Sequence, residues 1–507
     1  MPSEHQMLRP APSALPSGGA APAVLPRVMV LASIMGAMFM IAIEGTIVST
    51  AMPGIAAQLG DLHLYAWVFS AFLLAQTATT VGFGKLADVL GRKPVMLAGI
   101  AVFLLGSVLC GFAWSMPSLV AFRLVQGFGA GAILPVAQTL VGDLYTAQQR
   151  GKVQGYLASV WGISSVLGPL AGGLITDHLS WAWIFWINVP VGLATAAGFH
   201  LHLHEAPVKR QQQVDLPGAA LFAAAVASLM VALTALGASG TGLAAGALGL
   251  FAVTAALFVW QERRATDPLM SLSLWTRRPI ATANAATLLS GMATIGLTTF
   301  LPMYVQGVLG RTPLEAGFTL TVMVLGWPIG ATIAAKNFAR FGLRGTLLFG
   351  AALLPVGASA FLMLRPGTPS AVAGLGSLVM GLGMGFSSTS AIVLIQESVG
   401  WAERGSATAS NMFSRNLGST LGATLLGGVL NFSLTHGSGG RFGFDQVRQL
   451  LEGPEGGTVD EAVRAALGQS LHLTFWAVFA AAAGCLAVAA FVPHVPLGRA
   501  VRTPAPE

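Results

Sequence analysis

The sequence predicts an all-α integral membrane protein with fourteen spans, arranged as two six-helix bundles with two additional helices between them. Three observations lead to this prediction. Of the 507 residues, 54% are hydrophobic and only 9% are charged, whereas a soluble domain carries about a quarter of its residues as charges. Fourteen apolar segments each reach the roughly 20 residues that a helix needs to cross a bilayer. A short pattern after the second segment recurs after the tenth.

The predicted spans fall into groups of six, two and six. They are 28–52, 64–84, 94–113, 117–141, 153–176 and 181–203, then 216–237 and 241–260, and finally 280–303, 314–335, 345–364, 371–394, 406–431 and 471–492. This grouping predicts a disordered N-terminal tail (1–27), a six-helix bundle (28–203), an inserted two-helix hairpin with flanking cytoplasmic loops (204–279), a second six-helix bundle (280–492) and a C-terminal tail (493–507). The first tail is rich in Ala, Pro, Ser and Gly, a composition typical of disorder.

The distribution of Lys and Arg predicts the orientation of the spans. With the N-terminus inside, nineteen of the 26 basic residues lie on the cytoplasmic side, five lie outside and two lie within spans. Cytoplasmic loops carry such an excess, so we expect a multi-pass protein of the cell inner (plasma) membrane with both termini cytoplasmic. The net charge of +7 is spread over short loops, which does not favour nucleic-acid binding. Two cysteines in apolar stretches offer no metal site or disulfide framework.

A short internal repeat supports the two-bundle arrangement. Segment 84–93 links the second and third spans, and segment 335–344 links the corresponding spans of the second bundle, 251 residues later, with Lys and Gly in register. Repeats of this kind are typical of transporter folds.

Five motifs along the chain are similar to those of one family. Residues 44–53 read EGTIVSTAMP, 84–93 read GKLADVLGRK, 119–131 read LVAFRLVQGFGAG, 162–173 read GISSVLGPLAGG and 181–192 read WAWIFWINVPVG. Together they resemble the major facilitator superfamily, and within it the fourteen-span drug:proton antiporter family. The chain departs from the family pattern at Glu44, where Asp is usual, and at Val89 and Ala182, where Arg is usual.

Three ionisable residues lie well inside predicted spans: Glu44, Arg123 and Arg415. A charge at the bilayer centre costs about 3 kcal/mol on insertion scales, so such residues pair, face a water-filled cavity or act directly in function. Glu44 lies in the outer half of a span that runs outward, and Arg123 near the outer end of one that runs inward, so the two can meet. The residues alone leave open a static ion pair that joins helices. The resemblance implies that Glu44 and Arg123 couple protons and bind the cation of the substrate.

The resemblance also implies residues for gating. Within segment 84–93, Gly84, Asp88, Gly91 and Arg92 are expected to control the conformation. Asp88 should dock at the start of the thirteenth span, near Arg404 and Gly405, where the positive end of a helix dipole favours a carboxylate. This contact would stabilise the outward-open state.

Two further sets of residues complete the predicted site. Gly168 and Pro169 are also expected to act in gating, because they predict a closely packed, kinkable fifth span. Gln126, Asn284 and Arg415 are candidates to line a cavity, although hydrogen bonds between helices explain Gln126 and Asn284 equally well.

The predicted function is proton-coupled export of small hydrophobic or amphipathic, often cationic, drugs or toxins by alternating access, driven by the proton motive force without a cofactor. Export of an endogenous metabolite or siderophore is the alternative, because fold does not fix substrate. A membrane-embedded enzyme is less favoured, because no His/Asp or Ser/His set stands out. The chain lacks a G-x-x-x-x-G-K-[ST] motif, which excludes ATP-driven transport by this chain. Nothing in the sequence identifies a periplasmic adaptor or an outer-membrane channel.

Overall fold

A computed structural model describes residues 24–59, 64–205, 215–237, 241–265, 272–311, 313–437 and 461–496. Most of the predicted N-terminal tail, most of the C-terminal tail and the loop 438–460 lie outside these ranges. Residues 24–27, which the sequence assigned to the tail, begin the first helix.

The first half of the described chain is helical. Its elements are α1 (Val24–Leu59), α2 (Tyr65–Leu90), α3 (Arg92–Gly111), α4 (Met116–Leu144), α5 (Ala147–His178), the single turn α6 (Trp183–Trp186) and α7 (Asn188–His202). Local sequence explains where some of them begin. Ser115 caps α4 by accepting a hydrogen bond from the backbone N–H of Ser118, and Pro117 occupies the first turn, where a missing N–H does no harm.

The second half is also helical. Its elements are α8 (Leu216–Gly237), α9 (Thr241–Glu262), the short α10 (Leu272–Thr276), α11 (Arg278–Gly307), α12 (Pro313–Leu362), α13 (Ser370–Glu397), the 3-10 turn Trp401–Glu403, α14 (Arg404–Gly437) and α15 (Glu461–Ala490). All described elements of the chain are therefore helices, as the sequence predicted.

The described residues contain twelve helices that are long and apolar enough to cross a membrane, so the predicted count of fourteen is not supported. The difference arises at two places. The 50-residue helix α12 counts once, although its backbone leaves the helical conformation at Gly342. Helix α8 has a described apolar stretch of only Pro217–Leu233, shorter than the twelve.

Gly91 and Gly342, which are equivalent in the internal repeat, have similar unusual backbone conformations. Gly91 separates α2 from α3 with φ 98° and ψ 159°, and Gly342 interrupts α12 with φ 69° and ψ 173°. Positive φ angles of this kind strain a residue that has a Cβ, whereas glycine adopts them freely. The chain therefore turns in the same way at the link between the second and third helices of each half.

The two halves pack around separate hydrophobic clusters and meet along two seams. Helices α1, α2, α3 and α4 with α5 and α7 form the first half, and α11 to α15 form the second. The halves contact each other mainly through α2 with α14 and through α5 with α12. The hairpin α8–α9 covers the α2–α14 seam, where the Phe222 ring lies 5.3 Å from the rings of both Phe258 and Phe413.

Candidate functional site

A cavity of about 440 Å³ lies between the two halves. Helices α1, α2, α4 and α5 line one side, and α11 to α15 line the other. Its wall combines aromatic with polar side chains, among them Phe69, Phe72, Trp161, Trp327, Gln76, Gln138, Gln154, Ser387, Asn411 and Asn416. A largely apolar wall with a few polar groups is typical of a site for small organic molecules.

Glu44 on α1 and Arg123 on α4 form a buried ion pair in the first half. Arg123 Nη1 lies 2.5 Å from Glu44 Oε1, and both residues are buried from solvent. The two residues that the sequence suggested could meet are therefore in direct contact. Because each charge compensates the other, neither is left isolated in a region of low dielectric.

Hydrogen bonds extend this pair to three more helices. The Asn188 amide of α7 donates to Glu44 Oε2 (2.6 Å), and Arg123 Nε donates to the Val68 carbonyl of α2 (3.1 Å). Arg123 Nη1 also donates to Gln126 Oε1 (2.7 Å), whose own amide donates to an α3 hydroxyl. The sequence missed Asn188, although an asparagine inside the apolar run 181–192 was a usable signal.

Arg123 separates Glu44 from the cavity. Arg123 and Gly45 line the cavity, whereas Glu44 is not among the lining residues and has no exposed surface. The guanidinium carbon of Arg123 lies 4.4 Å from the ring centroid of Phe72, another lining residue. Glu44 therefore faces neither lipid nor bulk solvent, and a change in its charge would reach the cavity through Arg123.

The three residues that were candidates to line the cavity separate into two groups. Arg415 lines it. Gln126 and Asn284 do not, and both are buried in hydrogen bonds between helices: Asn284 of α11 donates to the Ser410 hydroxyl of α14 (2.9 Å) and accepts from Asn411 (3.1 Å). A polar residue in an apolar span fits either role, so only the packing distinguishes them.

Asp88, near the end of α2, docks on the first turn of α14 in the other half. Its carboxylate accepts hydrogen bonds from the backbone N–H groups of Gly405 (3.0 Å) and Ser406 (2.8 Å) and from the Ser406 hydroxyl (3.0 Å). Free N–H groups and the helix dipole make this turn favourable for an anion. The contact joins the two halves where the sequence expected it.

Arg92 continues this connection. Its Nη2 lies 2.8 Å from Asp88 and its Nε lies 3.1 Å from Asp143, which in turn is 2.7 Å from Arg404 of α14. The Arg92 guanidinium carbon also lies 4.2 Å from the centroid of the Trp401 ring. Charged side chains of alternating sign therefore connect one half to the other. The sequence analysis did not identify Asp143 as part of this connection.

A second connection lies at the same end of the helices. Arg150 of α5 lies 2.8 Å from Glu397 at the end of α13, and the Gln396 amide donates to the Gln138 carbonyl (3.1 Å). We call these contacts and those of Asp88 and Arg92 the interhalf latch. In this conformation the latch holds the two halves together at the end that contains segment 84–93.

Glycines allow helices to approach closely at two of the predicted gating positions. A Cβ on Gly84 would lie 3.0 Å from the Gly405 carbonyl oxygen, beside the Asp88 contact, and one on Gly168 would collide with the Thr46 hydroxyl of α1. That hydroxyl donates to the Ser164 carbonyl of α5 (3.0 Å). The side chain of Pro169 lies outside the described residues.

Residues 34–423 match the Major Facilitator Superfamily. The chain belongs to this superfamily. It is 36% identical over 404 residues to "Multidrug resistance protein 3" of Bacillus subtilis (strain 168), covering 79% of both chains. It is 34% identical over 412 residues to the "Multidrug transporter protein MdtP" of the same organism, covering 80% of this chain and 75% of that protein.

A solved structure has a similar fold. The human organic anion transporter MFSD10 (TETRAN) matches with a TM-score of 0.61 and 16% sequence identity, over 90% of this chain and 99% of that chain. The superfamily membership and the transporter relatives establish that the chain is a multi-pass membrane transporter of small molecules, not an enzyme.

Proposed function

We propose that this chain is a proton-coupled antiporter that exports small hydrophobic or amphipathic compounds across the plasma (inner) membrane by alternating access. The Glu44–Arg123 pair beside the cavity is the observation that carries the proposal. Among the described residues, the Glu44 carboxylate is the one acidic group that forms an ion pair with a charged residue of the cavity wall, which is Arg123. The two Bacillus relatives, both named as multidrug proteins, support export of drug-like compounds.

Coupling follows from the contacts that a proton would break. Protonation of Glu44 removes the charge that compensates Arg123, and with it the charge-assisted bonds to Arg123 and Asn188. Those bonds join α1 to α4 and α7, so binding and release of the proton would favour different packings of the first half. A proton that binds the two packings unequally shifts the equilibrium between them. The interhalf latch is closed in this structure. Opening it would give the cavity access to the side of the membrane at which segment 84–93 lies, which the predicted orientation makes the cytoplasmic side.

Direct binding of a cation by Glu44, which the resemblance implied, has less support. One carboxylate oxygen accepts from Arg123 and the other from Asn188, so a cation would have to displace one of them. In this proposal the proton acts through helix packing, and other residues of the cavity select compounds by their charge.

Transport by inverted membrane vesicles tests the proposed function. Three fluorescent probes share one dansyl ring: dansylglycine is an anion, dansylamide is neutral and dansylcadaverine is a cation. We expect at least one of them to accumulate when the vesicle interior is acid, and accumulation to stop when nigericin and valinomycin with K⁺ collapse both the pH gradient and the membrane potential. Vesicles from the same host without the protein are the control. Accumulation that survives collapse of the gradient would contradict proton coupling.

We also propose that the chain has fourteen spans, with both termini cytoplasmic. At about 1.5 Å per residue, the 50 residues of α12 would extend about 75 Å, more than twice the roughly 30 Å of the hydrocarbon core. The break at Gly342 divides α12 into two segments of spanning length. Helix α8 packs against the apolar helix α9, which meets the criteria for a span, and adds the fourteenth.

Cysteine labelling in intact cells tests this topology. Arg311 and Arg365 flank α12 and are exposed, so we expect an impermeant maleimide to label both Arg311→Cys and Arg365→Cys from outside. Arg340→Cys, near the break, should react only after permeabilisation. The native Cys110 and Cys485 are buried, which keeps the background low. Labelling of Arg311→Cys and Arg365→Cys from opposite sides would show that α12 crosses the membrane once.

A further inference from the structure

Arg415 lies near the middle of a spanning helix and faces the cavity. At about 1.5 Å per residue, it lies about 16 Å from the start of α14 at Arg404, which is near the centre of a hydrocarbon core about 30 Å thick. Its side chain lines the cavity. Among the described residues, its guanidinium makes no ion pair or hydrogen bond, in contrast to Arg123.

The described wall of the cavity carries one uncompensated positive charge. Arg123 and Arg415 are the two charged residues among the described lining residues, and no Asp or Glu is among them. Glu44 neutralises Arg123 from behind the wall. A cation in a region of low dielectric attracts an anion strongly and repels a second cation. The cavity is therefore electrostatically suited to a negatively charged molecule.

The surroundings of Arg415 suit an amphipathic anion. Three polar residues line the cavity together with Arg415 and carry hydrogen-bond donors for a bound anion: Asn416 and Ser419 of α14 and Ser290 of α11. Elsewhere in the wall, aromatic rings such as those of Trp161 and Phe72 offer an apolar surface. A guanidinium presents parallel N–H donors that match the two oxygens of a carboxylate or the oxygens of a sulfonate.

We propose that Arg415 binds the carboxylate or sulfonate of an amphipathic substrate, whose apolar body lies against the aromatic part of the cavity wall. This inference rests on the proposed function, because it names the class of compound that the same cavity carries. It departs from the cationic compounds suggested by the sequence, since the positive charge of Arg415 opposes them.

Binding of the three dansyl probes to the purified full-length protein in neutral detergent tests the proposal. Energy transfer from tryptophan to the dansyl ring reports bound probe, and two tryptophans, Trp161 and Trp327, line the cavity. A hydrogen-bonded charge contributes about 1.5–3 kcal/mol, so dansylglycine should bind at least roughly 10-fold more tightly than dansylamide, with dansylcadaverine the weakest. Arg415→Gln should abolish this preference, and Arg415→Lys should retain part of it. The matched control Arg365→Gln, at an exposed position, should leave it unchanged.

Equal affinities, the reverse order or no saturable binding by dansylglycine would overturn the proposal. A preference that persists in a folded Arg415→Gln protein would also overturn it. Phosphatidylglycerol is added in a separate experiment. If it displaces dansylglycine from the unmodified protein, a lipid headgroup occupies the site and the assignment to a transported compound is wrong. No proton gradient exists in detergent, so these results do not depend on whether transport is coupled to protons.

Discussion

Replacing Glu44 with Gln is expected to reduce proton-driven transport to the level of vesicles without the protein, while the variant still reaches the membrane. Gln has nearly the same shape but cannot exchange a proton. It also leaves Arg123 buried without its counter-charge, and breaking a buried pair from one side costs about 3–5 kcal/mol. Uptake of the dansyl probes by inverted vesicles measures transport, and the thermal midpoint of the purified protein measures the loss of stability.

Two comparisons separate a coupling role from a static one. Glu315→Gln makes the same chemical change at a partly exposed position outside the site and should leave transport unchanged. The double variant Glu44→Gln with Arg123→Gln removes both charges, so it should recover stability relative to the single variant. It should remain inactive, because no group is left to exchange the proton. Recovery of transport together with stability would show that the pair only joins helices.

The sequence predicted those features that depend on direction along the helices. The opposite directions of the first and fourth spans brought Glu44 and Arg123 to similar depth, and the structure places them in contact. The glycines of the internal repeat, Gly91 and Gly342, could be aligned by spacing alone and share a positive φ. These features follow from the order and length of the spans.

The sequence did not predict which face of each helix contacts its neighbours. Gln126 and Asn284 could have faced a cavity or a neighbouring helix, and the rotation of each helix about its axis decides between the two. Asp143 and Arg150 lie near helix ends, where charged residues are ordinary, so nothing marked them as partners of the opposite half. The span count differs for another reason: the sequence shows two apolar segments on either side of Gly342, whereas the structure has one helix that is interrupted there.

Asp88→Asn is expected to shift the interhalf latch towards its open form while leaving probe affinity within about twofold. Transport should slow, because each cycle must re-form the closed latch and the variant makes that state less stable. The neutral amide loses the ion pair with Arg92 and the attraction of a negative charge to the start of α14, and its NH2 group cannot accept the hydrogen bonds that one carboxylate oxygen accepts. An anion at that position contributes up to about 2 kcal/mol, so the ratio of open to closed latch should rise by up to roughly 30-fold. Spin labels at Leu90→Cys and Arg340→Cys, one in each half and both exposed, report the separation of the halves by double electron–electron resonance.

The second connection of the latch shows whether Asp88 acts on the separation of the halves or only on local stability. Glu397→Gln removes the partner of Arg150 at the same end, so it should shift the same label distances in the same direction. If both connections hold one two-state equilibrium, their effects on its free energy should approximately add in the double variant. A purely local role predicts otherwise: Asp88→Asn would lower the thermal midpoint without changing the label distances. That result would mean that other contacts hold the halves together and that the Asp88 contacts do not control the separation of the halves.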